Sequence, residues 1–152
     1  MAEPAPSTSL GQRLEQALAL VAREAPAHFV TMCARLGPRT ADVRFGDEPS
    51  LRVSLDREPP WVRDEGAGVP DLHLTLSRAT LARLLRGETT IEEAILDETL
   101  GARGDVPAML AFFDALAAWL HGAMRAPSLP RLHAQCLADT LAAADRQKGS
   151  RP

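Results

Sequence analysis

The sequence predicts an α+β domain, a mostly antiparallel five-stranded sheet with helices packed on one face, and three observations lead there. Large apolar residues alternate in Val43/Phe45, Leu51/Val53/Leu55 and Leu72/Leu74/Leu76, which is the signature of strands with one buried face. Segments with apolar residues at helical spacing lie before and after those strands, several opened by a Ser, Thr or Asp that can cap a helix. The strand residues between the apolar ones, such as Arg52, Ser54, His73 and Thr75, are polar. One sheet face can therefore meet water while the helices cover the other.

In chain order, Met1 to Thr8 is a polar, Pro-containing tail with nothing to bury and is expected to be mobile. Ser9 and Gln12 have capping-box spacing, and Leu10, Leu14, Ala17, Leu18 and Val21 trace one helical face. Pro26 lacks a backbone donor and ends or kinks this helix; Phe29, Val30, Cys33 and Leu36 then continue an apolar side until Gly37-Pro38. Two helices, or one bent helix, open the domain. From Ala41 the period shortens to two. Val43 to Phe45 and Leu51 to Leu55 form a hairpin around Asp47 to Pro49, Asp56 to Pro60 is a second turn, Trp61-Val62 a short third strand, and Asp64 to Gly68 a turn into Leu72. These strands are expected to follow one another as a meander.

The stretch 71–105 is the most explicit. Leu72, Leu74 and Leu76 form a strand, Ser77 caps a helix carrying Leu81, Leu84 and Leu85, and Gly87 closes it, since a left-handed C′ position costs glycine no steric strain. Thr90 and Glu93 form a second capping box, and Ile91, Ala94 and Ile95 line a short helix ending near Asp97. Glu98 to Arg103 re-enters the sheet with Leu100 and Ala102 on one face, and Asp105 caps the next helix.

This succession resembles the sterol carrier protein (sterol-binding domain) family, whose pattern is an Asp-led strand, a Ser-capped leucine helix ending in Gly, a short helix, a strand and Gly-Asp. The matching residues are Asp71, Leu72, Leu74, Leu76, Ser77, Leu81, Leu84, Leu85, Gly87, Leu100, Gly104 and Asp105, and the resemblance spans about 40–120. Glu98 stands where the pattern has a glycine, and Thr99 and Gly101 where it has basic residues.

The helix from Val106 to Met124 is the most apolar element. Leu110, Phe113, Ala117, Leu120 and Met124 form one stripe, Met109, Phe112, Leu116 and Trp119 a second, and Ala111, Ala115, Ala118 and Gly122 a small third. Such a helix must touch the sheet, another helix and a ligand or subunit. After a linker at Ala126 to Pro130, Leu132, Cys136, Leu137, Leu141 and Ala144 mark a last amphipathic helix that either covers the preceding one or adds to its apolar surface. The expected organisation is a tail at 1–8, a sterol-carrier-like domain at 9–125, a helical extension at 126–146 and a tail at 147–152.

Length and charge narrow the function. The 152 residues fit one domain with one core. A net charge of −3 without a basic, aromatic-interleaved patch excludes a nucleic-acid partner. Residues 16–22 are apolar but flanked by Glu15 and Arg23, unlike a signal peptide. No uninterrupted apolar run approaches the ~18 residues of a transmembrane helix. Cys33 and Cys136 sit far apart in apolar helical patterns, as small hydrophobes in a reducing compartment do. A cytoplasmic setting is expected, and abundant Ala and Arg without Asn or Tyr point to a GC-rich bacterial genome.

Reactive constellations are sparse. His133 and Cys136 share a helical face, but a structural metal site needs four ligands. Glu92-Glu93 and Asp97-Glu98 fit helix capping and a solvated face better than acid/base work. His28, His73 and His121 have no evident partner, and Gly66 and Gly68 precede a strand rather than a phosphate-binding helix start. No enzyme activity, cofactor or metal is therefore expected. The resemblance implies non-catalytic binding of a lipid or another apolar small molecule in a cavity between sheet and helices. Its expected lining is Leu81, Leu84, Leu85, Ile91, Ile95, Leu110, Phe113 and Leu116. The alternative is an accessory subunit that uses the apolar face of 106–144 to form a homodimer or dock on an enzyme.

Overall fold

The computed structural model describes residues 9–56, 61–64 and 68–149. The tail at 1–8, most of the turns at 56–60 and 64–68, and the end of the chain at 150–152 lie outside the described residues. The element order is α1 (Leu10–Glu24), α2 (Pro26–Leu36), β1 (Thr40–Phe45), β2 (Leu51–Ser54), β3 (Trp61–Asp64), β4 (Leu72–Leu76), α3 (Arg78–Leu85), α4 (Ile91–Leu96), β5 (Leu100–Gly104), α5 (Val106–Ala123) and α6 (Leu129–Gly149).

The helix starts follow the local chemistry of the sequence. Ser9 with Gln12 and Thr90 with Glu93 form reciprocal capping boxes, while Ser77 and Asp105 accept from the amides of Thr80 and Ala108. Each cap satisfies donors that a helix start leaves without partners. Pro26 opens α2 as a separate helix, because Ala25 has left helical geometry (φ −138, ψ 60). At the other ends, Gly87 (φ 70) and Glu98 (φ 59) hold equivalent left-handed positions. After each, two amides return to the last helical turn: Gly87 and Glu88 to Leu84 and Arg83, Glu98 and Thr99 to Ile95 and Ala94. Glu98 thus adopts the conformation for which the family pattern uses glycine.

The five strands lie in the order β3-β2-β1-β4-β5. β1 pairs antiparallel with β2, β2 with β3 and β4 with β5, but β1 and β4 run parallel at the centre. The sheet is mixed, which corrects the expected mostly antiparallel meander. β4, whose Leu72, Leu74 and Leu76 are all buried, pairs with β1 on one side and β5 on the other. It takes the free edge of β1 instead of extending the hairpin beyond β3.

Register aligns Ala41 with Leu72 and Val53, Val43 with Leu74 and Leu51, and Phe45 with Leu76. These residues face the helical layer, where Leu10, Leu14 and Leu18 of α1, Leu81 and Leu84 of α3, Ile95 of α4 and Met109 and Phe112 of α5 close the main core. On the opposite face, His73, Thr75 and Arg103 meet water. Over β1 and β2 that face is covered: Arg52 and Asp42 are buried and joined at 2.7 and 3.0 Å, and Arg52 also donates to the Gly68 carbonyl at 3.0 Å. A paired, hydrogen-bonded charge is what makes such burial tolerable.

α6 lies against α3 and α1 rather than across α5. It is tied down by Arg13–Asp139 at 2.8 Å, by Arg13 to Gln135 at 3.0 Å and by Gln147 to Glu48 at 3.3 Å. Glu48 in turn receives both guanidinium branches of Arg78, at 2.7 and 2.6 Å, and Arg78 stacks over Phe45. That pairing holds the Glu48 carboxyl below the usual carboxylate range.

Candidate ligand cavity

The helical layer does not fill its space evenly. Between the sheet and α1, α2 and α5 lies a cavity of about 200 Å³. Its floor is Ala41, Val43, Val53, Leu55 and Val62; its walls come from Leu14, Ala17 and Leu18 of α1, Met32 and Leu36 of α2, and Phe112, Ala115, Leu116 and Trp119 of α5. The lining contains no ionisable side chain. It is open because the facing positions are small: Ala41 and three valines below, Ala17 and Ala115 above. A leucine strand such as β4 in the same place would close it.

A second, open groove of about 530 Å³ runs along the outer side of α5, between that helix and α4. Ile91, Ile95, Leu96, Phe113, Leu116 and Leu120 line it. Leu116 belongs to both spaces, and Phe112 and Phe113 turn to opposite sides, with their rings edge to face at 5.9 Å. One turn of α5 is thus the wall between an apolar pocket under the helices and an apolar groove on the outer side.

Of the residues expected from the sequence, Leu116 lines the cavity, and Ile91, Ile95, Phe113 and Leu116 line the groove. Leu81 and Leu84 pack into the solid core under β4 and β5, Leu85 is half-buried beside it, and Leu110 is 60% exposed. The contributions of α1, α2 and the first three strands were not anticipated. The signal was present in side-chain size, since over the cavity the strands carry Ala41, Val43, Val53 and Val62 where β4 carries only Leu, with the larger Phe45 and Leu51 lying outside its lining.

The reactive side chains remain apart from the cavity. Among the described residues, no three His, Cys, Asp or Glu side chains gather as a metal site requires. Cys136 on α6 is half-buried, and burial pushes its thiol pKa up. Cys33 and Cys136 form no disulfide. α5 has the length and composition of a membrane span despite Asp114 and His121; Ala108, Ala115, Ala118 and Gly122 are its buried residues, and much of the rest of the helix is exposed.

Comparison with solved structures gives the same architecture. The structure titled UbiJ-SCP2 ubiquinone synthesis protein aligns with a TM-score of 0.57 at 22% identity, over 78% of this chain and 98% of that one. The sterol carrier protein domain 2 of Helicoverpa armigera aligns with a TM-score of 0.52 at 12% identity, over 76% and 95% of the two chains. No protein-family model matches the chain, and no curated protein matches it. The chain has a sterol-carrier-like fold.

Proposed function

We propose that this protein binds the apolar portion of a lipid or another apolar small molecule, without catalysis, in the cavity under α1, α2 and α5. The observation that carries the reading is the cavity itself, a pocket with a wholly apolar lining between sheet and helices of a sterol-carrier-like fold. Apolar cavities of about 150 Å³ remain dry and accept a ring the size of benzene. About 200 Å³ is below the usual range for a whole drug-sized ligand, ~300 to 1,000 Å³. The cavity therefore takes a ring or a length of chain, and the remainder extends past Leu116 towards the groove bounded by Ile91, Ile95 and Phe113. Removal of apolar surface from water supplies the affinity.

Native mass spectrometry of the freshly purified protein, followed by solvent extraction, identifies any resident ligand. Titration with a fluorescent fatty acid then tests the place. Ala17→Phe projects a ring into the void and should weaken probe binding at least tenfold in a folded protein, whereas Leu85→Trp, outside the cavity, should leave it unchanged. A folded Ala17→Phe variant that binds as the parent does would move the site elsewhere.

A further inference from the structure

α5 is packed with its small side facing inward. Ala108, Ala115 and Gly122 recur every seven residues and are buried, together with Ala118. A Cβ on Gly122 would come within 2.9 Å of the His28 Cβ and 3.0 Å of Val21, so the helix sits as close to α1 and α2 as its backbone permits. While Met109, Phe112 and Trp119 pack inward beside this row, four other large residues point out: Val106, Leu110, Leu120 and Met124 are 62%, 60%, 52% and 83% exposed. With Phe113 and Ala117 they make the series 106, 110, 113, 117, 120, 124, an alternation of four- and three-residue steps. This is the spacing of a coiled-coil seam, and it opposes the buried row directly.

The series is also symmetric about Ala115. Val106 and Met124 lie nine residues to either side, Leu110 and Leu120 five, Phe113 and Ala117 two. A two-fold axis at Ala115 therefore sets Val106 on Met124, Leu110 on Leu120 and Phe113 on Ala117 of a second copy. Large meets small at the centre, where a parallel pairing would stack two phenylalanines and leave two alanines facing a gap. We infer that the exposed face of α5 is a homodimer seam in which two copies pack antiparallel about Ala115.

Surrounding features favour this occupant. Between Val106 and Met124 there is no Lys or Arg, the exposed ionisable residues being Asp114 and His121, and Glu92 stands on the adjoining groove. A face that docks on an anionic membrane carries basic residues along its length, whereas here the exposed Arg103 and Arg125 stand only beyond its two ends. α6, the only helix after α5 among the described residues, is committed to α1 and α3. Leu96, 82% exposed, adds apolar surface beside the seam.

The axis carries one cost that makes the register testable. Asp114 precedes Ala115 on the flank of the seam, so the two Asp114 carboxylates fall on the same side of the axis and repel. Sedimentation equilibrium of the full chain across the micromolar range is expected to show a monomer–dimer equilibrium. Ala117→Arg, at an exposed position, should weaken association at least a hundredfold while the circular dichroism and melting of the monomer are retained. Asp114→Asn should tighten it severalfold. A parent chain that is monomeric at every concentration overturns the inference, as does a folded Ala117→Arg variant that still dimerises. Tightening absent in Asp114→Asn, with the dimer otherwise intact, rules out the antiparallel register.

Discussion

The two halves of the space between sheet and helices obey the same alternation rule but differ in the size of what they bury. Under β4 and β5, Leu72, Leu74, Leu76 and Leu100 meet Leu81, Leu84 and Ile95, and the layer is solid. Under β1 to β3, Ala41, Val43, Val53 and Val62 meet Ala17 and Ala115, and about 200 Å³ stays open. Both halves are apolar and both lie between the same layers. Packing volume, rather than pattern, determines which half is scaffold and which can host a ligand.

The largest expected difference is in tolerance to truncation. Leu74→Ala leaves a new hole in a filled region and should cost about 3 kcal/mol, within the range for buried leucines. Val53→Ala merely enlarges a void that already exists, beside a half-buried position, and should cost about 1 kcal/mol. Urea denaturation of the two variants against the parent compares them directly. Equal losses would mean that the valine-lined half is as tightly packed as the leucine-lined one, and the proposed cavity would go with the distinction.

That contrast also shows how far sequence reading could reach. The caps at Ser9, Ser77, Thr90 and Asp105, the strand faces and the glycine stop at Gly87 are local chemistry, and each formed as its residues predicted. The place of β4 was not local. Successive strands usually neighbour one another, and the alternation of its leucines says which face β4 buries but not which strand it pairs with. The cavity was harder still, because periodicity tells which way a side chain points but not whether the layer above it is large enough to meet it. Leu81 and Leu84 point into the domain as predicted and find it full; Ala17 and Ala41 look like filler in the sequence and prove to be the reason for the space. The outward seam of α5 was legible as an apolar stripe, but its exposure depended on where α6 would settle.

Acid separates the halves next. The Arg78–Glu48 pair joins the β1–β2 turn to α3 and, through Gln147, to α6 on the solid side, whereas the cavity lining has nothing to titrate. Glu48 has a lowered pKa, chiefly from its hydrogen bonds to Arg78. Its contribution is therefore complete above the unfolded value of about 4.3 and is lost as pH falls through the lower folded value. With Glu48 about one-third exposed, solvent screening limits the effect to about 1 kcal/mol. Hydrogen exchange should show α6 loosening over that window while the affinity for an uncharged apolar probe stays level. An affinity that declined in step with α6 protection would show the halves to be mechanically coupled.

The smallest effect concerns the end of α4, where the solid half borders the outer groove. Gly87 and Glu98 close successive helices in the same left-handed conformation, with the same pair of returning amides, but only glycine adopts it without strain. For a residue with a Cβ the left-handed region costs roughly 1 to 2 kcal/mol. Glu98→Gly removes that strain and adds back some freedom to the unfolded chain, leaving a net gain of about 0.5 kcal/mol, or about 1 to 2 °C in Tm for a domain of this size. Gly87→Ala runs the same exchange backwards and should lose a similar amount. Neither touches the lining of the cavity, so probe affinity should not follow either change. A Glu98→Gly variant that melts lower would mean that the Glu98 side chain holds the α4–β5 corner by more than its backbone costs. The departure from the glycine pattern would then be a side-chain contact at that corner.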